Sequence, residues 1–242
     1  MRESGFRYAT SKPVALALAC AGFLAAIGFA AAPRPAVAVT SPGSVTGDAR
    51  VIDGDTIDIG GQRVRLEGID APETGQTCAR RLIGTWGCGA AATKALKAMV
   101  TGRTVACERR GTDKYGRMLG VCFVDGSEIN RQLVRDGFAW AFVKYSGSYV
   151  AEEAEARAAH RGIFATENQA PWDYRAGKWA NAGEQAPAGC AIKGNVTRNG
   201  RIYHMPWSPW YAKVVIDPAR GERWFCSEKE AVAAGWRPAH TL

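Results

Sequence analysis

Between Gly47 and Val143 the chain is built from short β-prone runs cut apart by turn residues. That rhythm limits it to a small, strongly curved sheet with a few attached helices. Ala49-Arg50-Val51-Ile52, Thr56-Ile57-Asp58-Ile59 and Arg63-Val64-Arg65-Leu66 are strand-like, and Gly60-Gly61 makes a hairpin turn between the last two. Further strands are predicted over residues 104–109 and 118–124, joined by a polar loop at 110–117, and over residues 138–143. Ala91, Ala95, Leu96 and Met99 recur at helical spacing and predict a helix over 90–100. Ser127 is placed to cap a helix to 136, with Ile129, Leu133 and Val134 inward and Gly137 as its stop. Residues 151–160 read as an Ala/Glu/Arg helix. Five strands with helices between them suit an α+β fold, a five-stranded OB-like β-barrel with attached helices.

The N-terminus precedes this pattern and reads as an export signal over residues 1–38. Arg2, Arg7 and Lys12 form a basic start, residues 14–32 carry no charge, and Ala36-Val37-Ala38 offers a small-x-small cleavage site. An uncleaved N-terminal membrane anchor is the rival reading, since the uncharged run is long for a signal. Its Ala and Gly content favours cleavage. The mature chain then meets an oxidising compartment, secreted or periplasmic. Cleavage removes Cys20 from the seven cysteines and leaves Cys78, Cys88, Cys107, Cys122, Cys190 and Cys226. It also lowers the formal charge of +8. Residues 1–38 carry Arg2, Arg7, Lys12 and Arg34 against Glu3, which leaves 27 basic and 22 acidic residues, a net charge of +5. That mild excess excludes a protein whose function is a dedicated basic DNA-binding stripe.

The mature chain divides at a change in composition. Residues 39–172 hold the strand pattern. Residues 173–188, rich in Ala and Gly with few aliphatics, read as a linker. Residues 189–242 form a small module with Trp207, Trp210, Trp224 and Trp236, and Ser227-Glu228-Lys229-Glu230 is a capping box that opens a helix ended by Gly235. So short a module is hard to stabilise by a core alone, and a Cys190–Cys226 disulfide would support it.

Three clusters carry chemistry: Asp53-Gly54-Asp55-Thr56, the stretch from Arg65 through Glu67, Asp70, Ala71 and Pro72 to Glu73, and Asp113-Lys114-Tyr115-Gly116-Arg117. Singly they read as a turn, a solvated loop acid and a hairpin tip. Jointly they supply oxygen ligands for a hard cation, a carboxylate on a proline-stiffened loop and two guanidinium groups. Hydrolysis of a phosphodiester requires those parts.

These segments resemble the staphylococcal nuclease (thermonuclease) family over roughly residues 47–164, down to the Val124-Asp125-Gly126 turn and the Asn130, Leu133-Val134-Arg135-Asp136-Gly137 helix end. The resemblance implies a five-stranded OB barrel and Ca²⁺-dependent cleavage of DNA and RNA that leaves 3′-phosphates. It implies Asp55, Asp70 and the Ala71 carbonyl as metal ligands, and Glu73 as the general base or water-orienting group. Arg65 and Arg117 would clamp the scissile phosphate, with Arg117 also assisting the leaving oxygen. Asp53 would stand behind the ligands, while Lys114 and Tyr115 would contact a terminal phosphate. Every central catalytic position is filled, which disfavours a dead nuclease.

The departures concern substrate binding. Of two family tyrosines that flank the base, Tyr145 fits the second place and Val143 occupies the first. The loop after Glu73 is distinctive, and a Cys78–Cys88 bridge is predicted to fix it beside the site. Arg80 and Arg81 there read as a solvated basic loop, with contact to a nucleic-acid backbone as the alternative. Cys107 and Cys122 lie equally far from the centre of their hairpin and would face one another in a symmetric one, which predicts a cross-strand disulfide. In the module, Cys190, His204, Cys226 and His240 match no common zinc spacing, so a disulfide is favoured over a metal. Its tryptophans read as core by default.

The sequence is therefore expected to encode an exported Ca²⁺-dependent nuclease acting on DNA and RNA, monomeric and without a stable protein partner. It would meet a membrane only if the N-terminal segment stays attached. The rivals are a noncatalytic OB-fold that binds nucleic acid or protein, and an envelope protein whose nuclease core is a relic.

Overall fold

The strand runs close on themselves. In a computed structural model, which describes residues 43–239, β1 (Val45–Val51), β2 (Thr56–Ile59) and β3 (Gln62–Leu66) form an antiparallel meander. β4 (Thr104–Thr112) and β5 (Met118–Val124) form a hairpin. β1 pairs antiparallel with β4, and β3 pairs parallel with β5 (Val64 opposite Met118, Leu66 opposite Gly120), so the sheet becomes a closed five-stranded barrel. Closure leaves no free strand edge in the barrel. The N-terminal segment and its cleavage site, with Cys20 and His240, lie outside the described residues.

Alternation along the strands fills the barrel. Ile57, Val64, Leu66, Val105 and Met118 point inward and are almost fully buried. Helix α1 (Cys88–Val100) covers one opening with Ala92, Leu96 and Val100, and α2 (Ile129–Arg135) adds Leu133 and Val134. Helix α3 (Val150–Ala158) packs on α2. Gly60 and Gly61 take φ of 58° and 90°, the left-handed conformation that a two-residue hairpin turn demands.

Three local expectations change. Ser127 does not cap α2, because residues 127 and 128 pair with β5 (Val124 opposite Ser127), which leaves Glu128 as the residue preceding the helix. The strand expected over 138–143 shrinks to Trp140–Ala141, paired with the two-residue strand Ile69–Asp70. The stretch read as a linker is helix α4 (Pro171–Gln185). Proline sits in its first turn, where no intrahelical N–H bond is lost. Trp172, Arg175, Trp179 and Ala182 recur at helical spacing. Trp172 stacks on Phe142 of the barrel domain at 5.5 Å, and Trp179 lies against Trp207 of the module at 6.3 Å. The helix is thus fastened in its first turn to the barrel domain and at its middle to the module.

In the module, β6 (Ile192–Thr197), β7 (Gly200–His204), β8 (Arg223–Phe225) and β9 (Arg237–Pro238) form a sheet in the order β8-β6-β7-β9, with α5 (Glu228–Ala233) beside it. Ser227 caps α5 by accepting from Glu230 N–H at 3.1 Å. Glu230 completes the box one residue early, accepting from Cys226 N–H at 2.9 Å. The tryptophans divide: Trp236 is core against Phe225, Trp207 meets α4, and Trp210 is 43% exposed.

Three disulfides join Cys78 to Cys88, Cys107 to Cys122 and Cys190 to Cys226. Cys107 and Cys122 stand directly opposite in the β4–β5 ladder, and a bulge between Arg109 and Gly111 shifts the register only nearer the tip. The Cys190–Cys226 bridge ties the start of β6 to the start of α5 across a separation of 36 residues. Replacing both cysteines with serine is expected to destabilise the module by about 2–4 kcal/mol. Thermal unfolding followed by tryptophan fluorescence checks this, and an unchanged melting profile would show that the bridge contributes nothing.

Candidate active site

The barrel register brings the first two clusters together. Asp55 immediately precedes β2, and Thr56 pairs across the ladder with Arg65 on β3. The Arg65 guanidinium bridges two carboxylates: Nη1 donates to Asp55 Oδ1, and Nη2 donates to Asp70 Oδ1 at 2.9 Å. Asp55 Oδ2 accepts the Ala71 N–H at 2.9 Å, which fixes the chain just before Pro72 and Glu73. Asp53 accepts the Asp55 N–H at 3.1 Å. Asp55 and Asp70 are buried, Asp70 completely.

Glu73 is held by groups that the sequence did not mark. Its N–H donates to Gln76 Oε1 at 3.1 Å, and Gln76 Nε2 donates to the Gln169 carbonyl at 2.7 Å. A Cβ on Gly89, in the first turn of α1, would lie 1.7 Å from the Glu73 carbonyl oxygen. Only glycine permits that approach. The Cys78–Cys88 bridge closes this loop over a small cluster that includes Trp140 and Phe164.

A second arginine enters from α4. Arg175 Nη1 donates to Asp70 Oδ1 at 3.1 Å and Nη2 to Asp70 Oδ2 at 2.8 Å, while Nη1 also donates to Glu73 Oε1 at 2.9 Å. No sequence pattern around Arg175 pointed to this. The one available signal was its place on the Trp172–Trp179 stripe of a helix.

Four carboxylates here face two guanidinium groups, and the imbalance is visible in their acidities. Burial pushes Glu73 up to about 7 against the pull of Arg175, and the charges of Asp53 and Asp55 add to the rise. Burial likewise raises Asp53 to about 6, with the neighbouring Asp55 charge contributing. Burial opposes the charge on Arg65, yet Asp55, Asp70 and Asp53 hold it above its usual range.

The third cluster is only partly delivered. Arg117 Nε donates to Asp113 Oδ2 at 2.7 Å and its guanidinium lies 5.3 Å from the Tyr115 ring centre. Among the described residues no hydrogen bond or ion pair joins it to Asp55, Asp70 or Glu73. Lys114 lies over the Tyr115 ring at 4.8 Å, and Tyr115 is 40% exposed. Tyr145 is exposed and edge-on to Phe142, with Val143 exposed beside it. Arg80 and Arg81 are also exposed, and Arg80 Nε donates to the Thr85 carbonyl within its own hairpin. In the module, Cys190 and Cys226 are bonded to each other, while His204 Nε2 meets Asn195 Oδ1 at 3.0 Å.

The module walls the site. A cleft of about 140 Å³ has Ile52, Asp53, Glu73 and Thr74 on one side and Tyr203, Met205, Trp207 and Pro209 on the other. Tyr203 OH donates to Glu228 at 2.8 Å, and Tyr115 of the barrel hairpin lies beside the same carboxylate.

Among the described residues no three His, Cys, Asp or Glu side chains gather into a metal cage. The donors are nevertheless oxygen-only, as Ca²⁺ prefers, and two buried aspartates share one arginine with surplus negative charge around them. The donor chemistry of Asp55, Asp70 and the Ala71 carbonyl thus suits a hard cation, while the aspartate oxygens here are taken by Arg65, Arg175 and the Ala71 N–H.

A family model described as staphylococcal nuclease homologue matches residues 63–166, and one described as ArfC matches residues 171–238. The chain is 36% identical over 164 residues to the succinoglycan biosynthesis protein ExoI of Rhizobium meliloti (strain 1021), covering 67% of this chain and 74% of that protein. It is 37% identical over 134 residues to an uncharacterized endonuclease of Escherichia coli O157:H7, covering 52% and 81% of the two chains. It is 33% identical over 155 residues to micrococcal nuclease of Shigella flexneri, covering 57% and 80%. With the closed barrel, these likenesses define a nuclease, a hydrolase of nucleic acid. The chain belongs to the staphylococcal nuclease family.

Proposed function

We propose that the protein is an exported, Ca²⁺-dependent nuclease that cleaves DNA and RNA and leaves 3′-phosphate ends. The observation that carries this reading is the Arg65 bridge between buried Asp55 and Asp70, with Glu73 on the adjoining loop. Asp55, Asp70 and the Ala71 carbonyl would hold the cation, which when bound would polarise the phosphoryl oxygen. Glu73 orients a water and takes its proton as the water oxygen bonds to phosphorus. Arg65 stabilises the charge that builds on the phosphoryl oxygens. The phosphorus–O5′ bond breaks, the departing O5′ takes a proton from solvent water, and the phosphate stays on the 3′ side. Arg117 serves the phosphate and the leaving oxygen after exchanging Asp113 for substrate. Lys114 and Tyr115 contact a terminal phosphate, and Tyr145 supplies a face for a base, worth about 1–3 kcal/mol by stacking.

Residues 39–172 form the catalytic domain and 189–242 the appended module in this reading, with α4 between them. Three disulfides support an oxidising destination, periplasmic or extracellular. Retention by an uncleaved N-terminal anchor is the alternative. The working form is a monomer whose partners are its nucleic-acid substrates.

The products test this. Digestion of a defined single-stranded DNA and a defined RNA with Ca²⁺ is expected to give 3′ ends that phosphatase must treat before they can be extended. Ends extendable without phosphatase would overturn the assigned bond, and intact RNA would remove it from the substrates.

A further inference from the structure

Arg175 is the one charged side chain of α4 that enters the carboxylate cluster, and its fork grips Asp70 across both oxygens. An end-on guanidinium occupies the inward lone pairs of both carboxylate oxygens. Arg65 Nη2 also donates to Oδ1. Asp70 thus spends most of its acceptor capacity on two arginines, although it is completely buried at the barrel mouth. A carboxylate so occupied cannot offer the same lone pairs to a divalent cation. The same arginine also reaches Glu73, so both groups are held by one donor.

The arginine is not on a loose tether. Trp172, one turn earlier, stacks on Phe142, and Trp179, one turn later, lies against Trp207 of the module. Arg175 lies between these two anchors on the same face of a helix. Its side chain is about one-fifth exposed, so it meets solvent as well as the buried Asp70.

We propose that Arg175 is a further residue of this catalytic centre, a tethered positive charge that holds Asp70 and Glu73 and must release them before a divalent cation binds. Helix α4, with the module fastened to it, then sets the cation concentration at which the nuclease works. The proposal rests on the reading of Asp55 and Asp70 as cation ligands. Arg175 satisfies two carboxylates, and binding a cation would exchange one partner for another.

Calorimetric titration of Ca²⁺ into the intact mature protein, without substrate, tests this. Arg175→Gln removes the charge and the fork and leaves a shorter neutral donor, and it is expected to bind Ca²⁺ about tenfold more tightly, the worth of one charge-assisted contact. Arg175→Lys keeps the charge without the fork and should fall between the two. In chelator, Arg175→Gln is expected to melt at a lower temperature than the parent, with the gap closing at saturating Ca²⁺. Equal or weaker Ca²⁺ binding by Arg175→Gln would overturn the proposal, because a purely structural or supporting arginine gives that result. Asp55→Asn separates the two levels of the account. If the parent binds Ca²⁺ and Asp55→Asn does not, the cation site stands whatever Arg175 does. If Asp55→Asn binds Ca²⁺ as the parent does, both readings fall together.

Discussion

Replacing Glu73 with glutamine is expected to lower turnover of single-stranded DNA by about 10²–10⁴ while leaving substrate affinity and fold nearly intact, the usual contribution of a positioned general base. Glutamine keeps the shape and can still hydrogen-bond, but it cannot take a proton from water. The backbone at Glu73 is held independently of its carboxylate, since Gln76 accepts its N–H and Gly89 admits its carbonyl, and glutamine can still accept from Arg175. The parent enzyme should also show a pH dependence that the variant lacks. Burial raises Glu73 to about 7, so the base is ionised only as pH climbs through that value. Activity should rise on the acid side with a midpoint at or below about 7, since a bound cation favours the ionised form. Stability in chelator should move the other way. Glu73 and Asp53 both have raised folded values, about 7 and about 6, so their protonated forms favour the native state. That contribution is complete below the unfolded value near 4 and is lost as pH rises through 6 and 7. A Glu73→Gln enzyme with turnover within a few fold of the parent would remove Glu73 from the proton transfer.

The barrel was legible because its strands are short, alternate inward and outward, and are cut by residues that can only turn. Ile57, Val64 and Leu66 point inward as their spacing requires, and Gly60-Gly61 turns where two left-handed residues are needed. Asp55, Arg65 and Asp70 stood out as motif residues because they lie close together in sequence, but the ion pairs that join them were not read from it. The Cys107–Cys122 pair was legible from symmetry because the bulge lies beyond it, towards the tip.

Helix α4 was not legible, and the reason is physical. Its inward stripe is made of the half-buried Trp172, Arg175 and Trp179 and the buried Ala182 rather than Leu, Ile or Val, and Gly177 and Gly183 lower its helix propensity. Packing of two indoles on two different surfaces overrides that weak local preference. Arg175 was missed for a related reason: its partners lie 102 and 105 residues away in sequence, and nothing local records them. Gln76 is similar, joining Glu73 to a carbonyl 93 residues distant. Arg117 shows the opposite case. Its loop was recognised, but a nearby acid, Asp113 at i−4, holds the guanidinium through the shortest available contact.

The barrel also separates this chain from a purely binding OB-fold. A binding surface uses exposed aromatics and basic side chains along a groove. Here buried carboxylates are collected at one point and held there by arginine, which costs desolvation and has no use in binding a polyanion.

The most direct measurement is digestion of single-stranded DNA by the purified protein with Ca²⁺, with chelator, and with chelator followed by excess Ca²⁺. The account predicts fragments in the first and third reactions and intact DNA in the second, because two aspartates and a carbonyl without their cation leave the phosphoryl oxygens unpolarised. Removing the cation should therefore have the largest effect of any perturbation described for this protein, and Asp55→Asn should reproduce it in the presence of Ca²⁺. Unchanged digestion in chelator would contradict the cation site, and with it the central claim that Asp55, Asp70 and Glu73 act together on one phosphate.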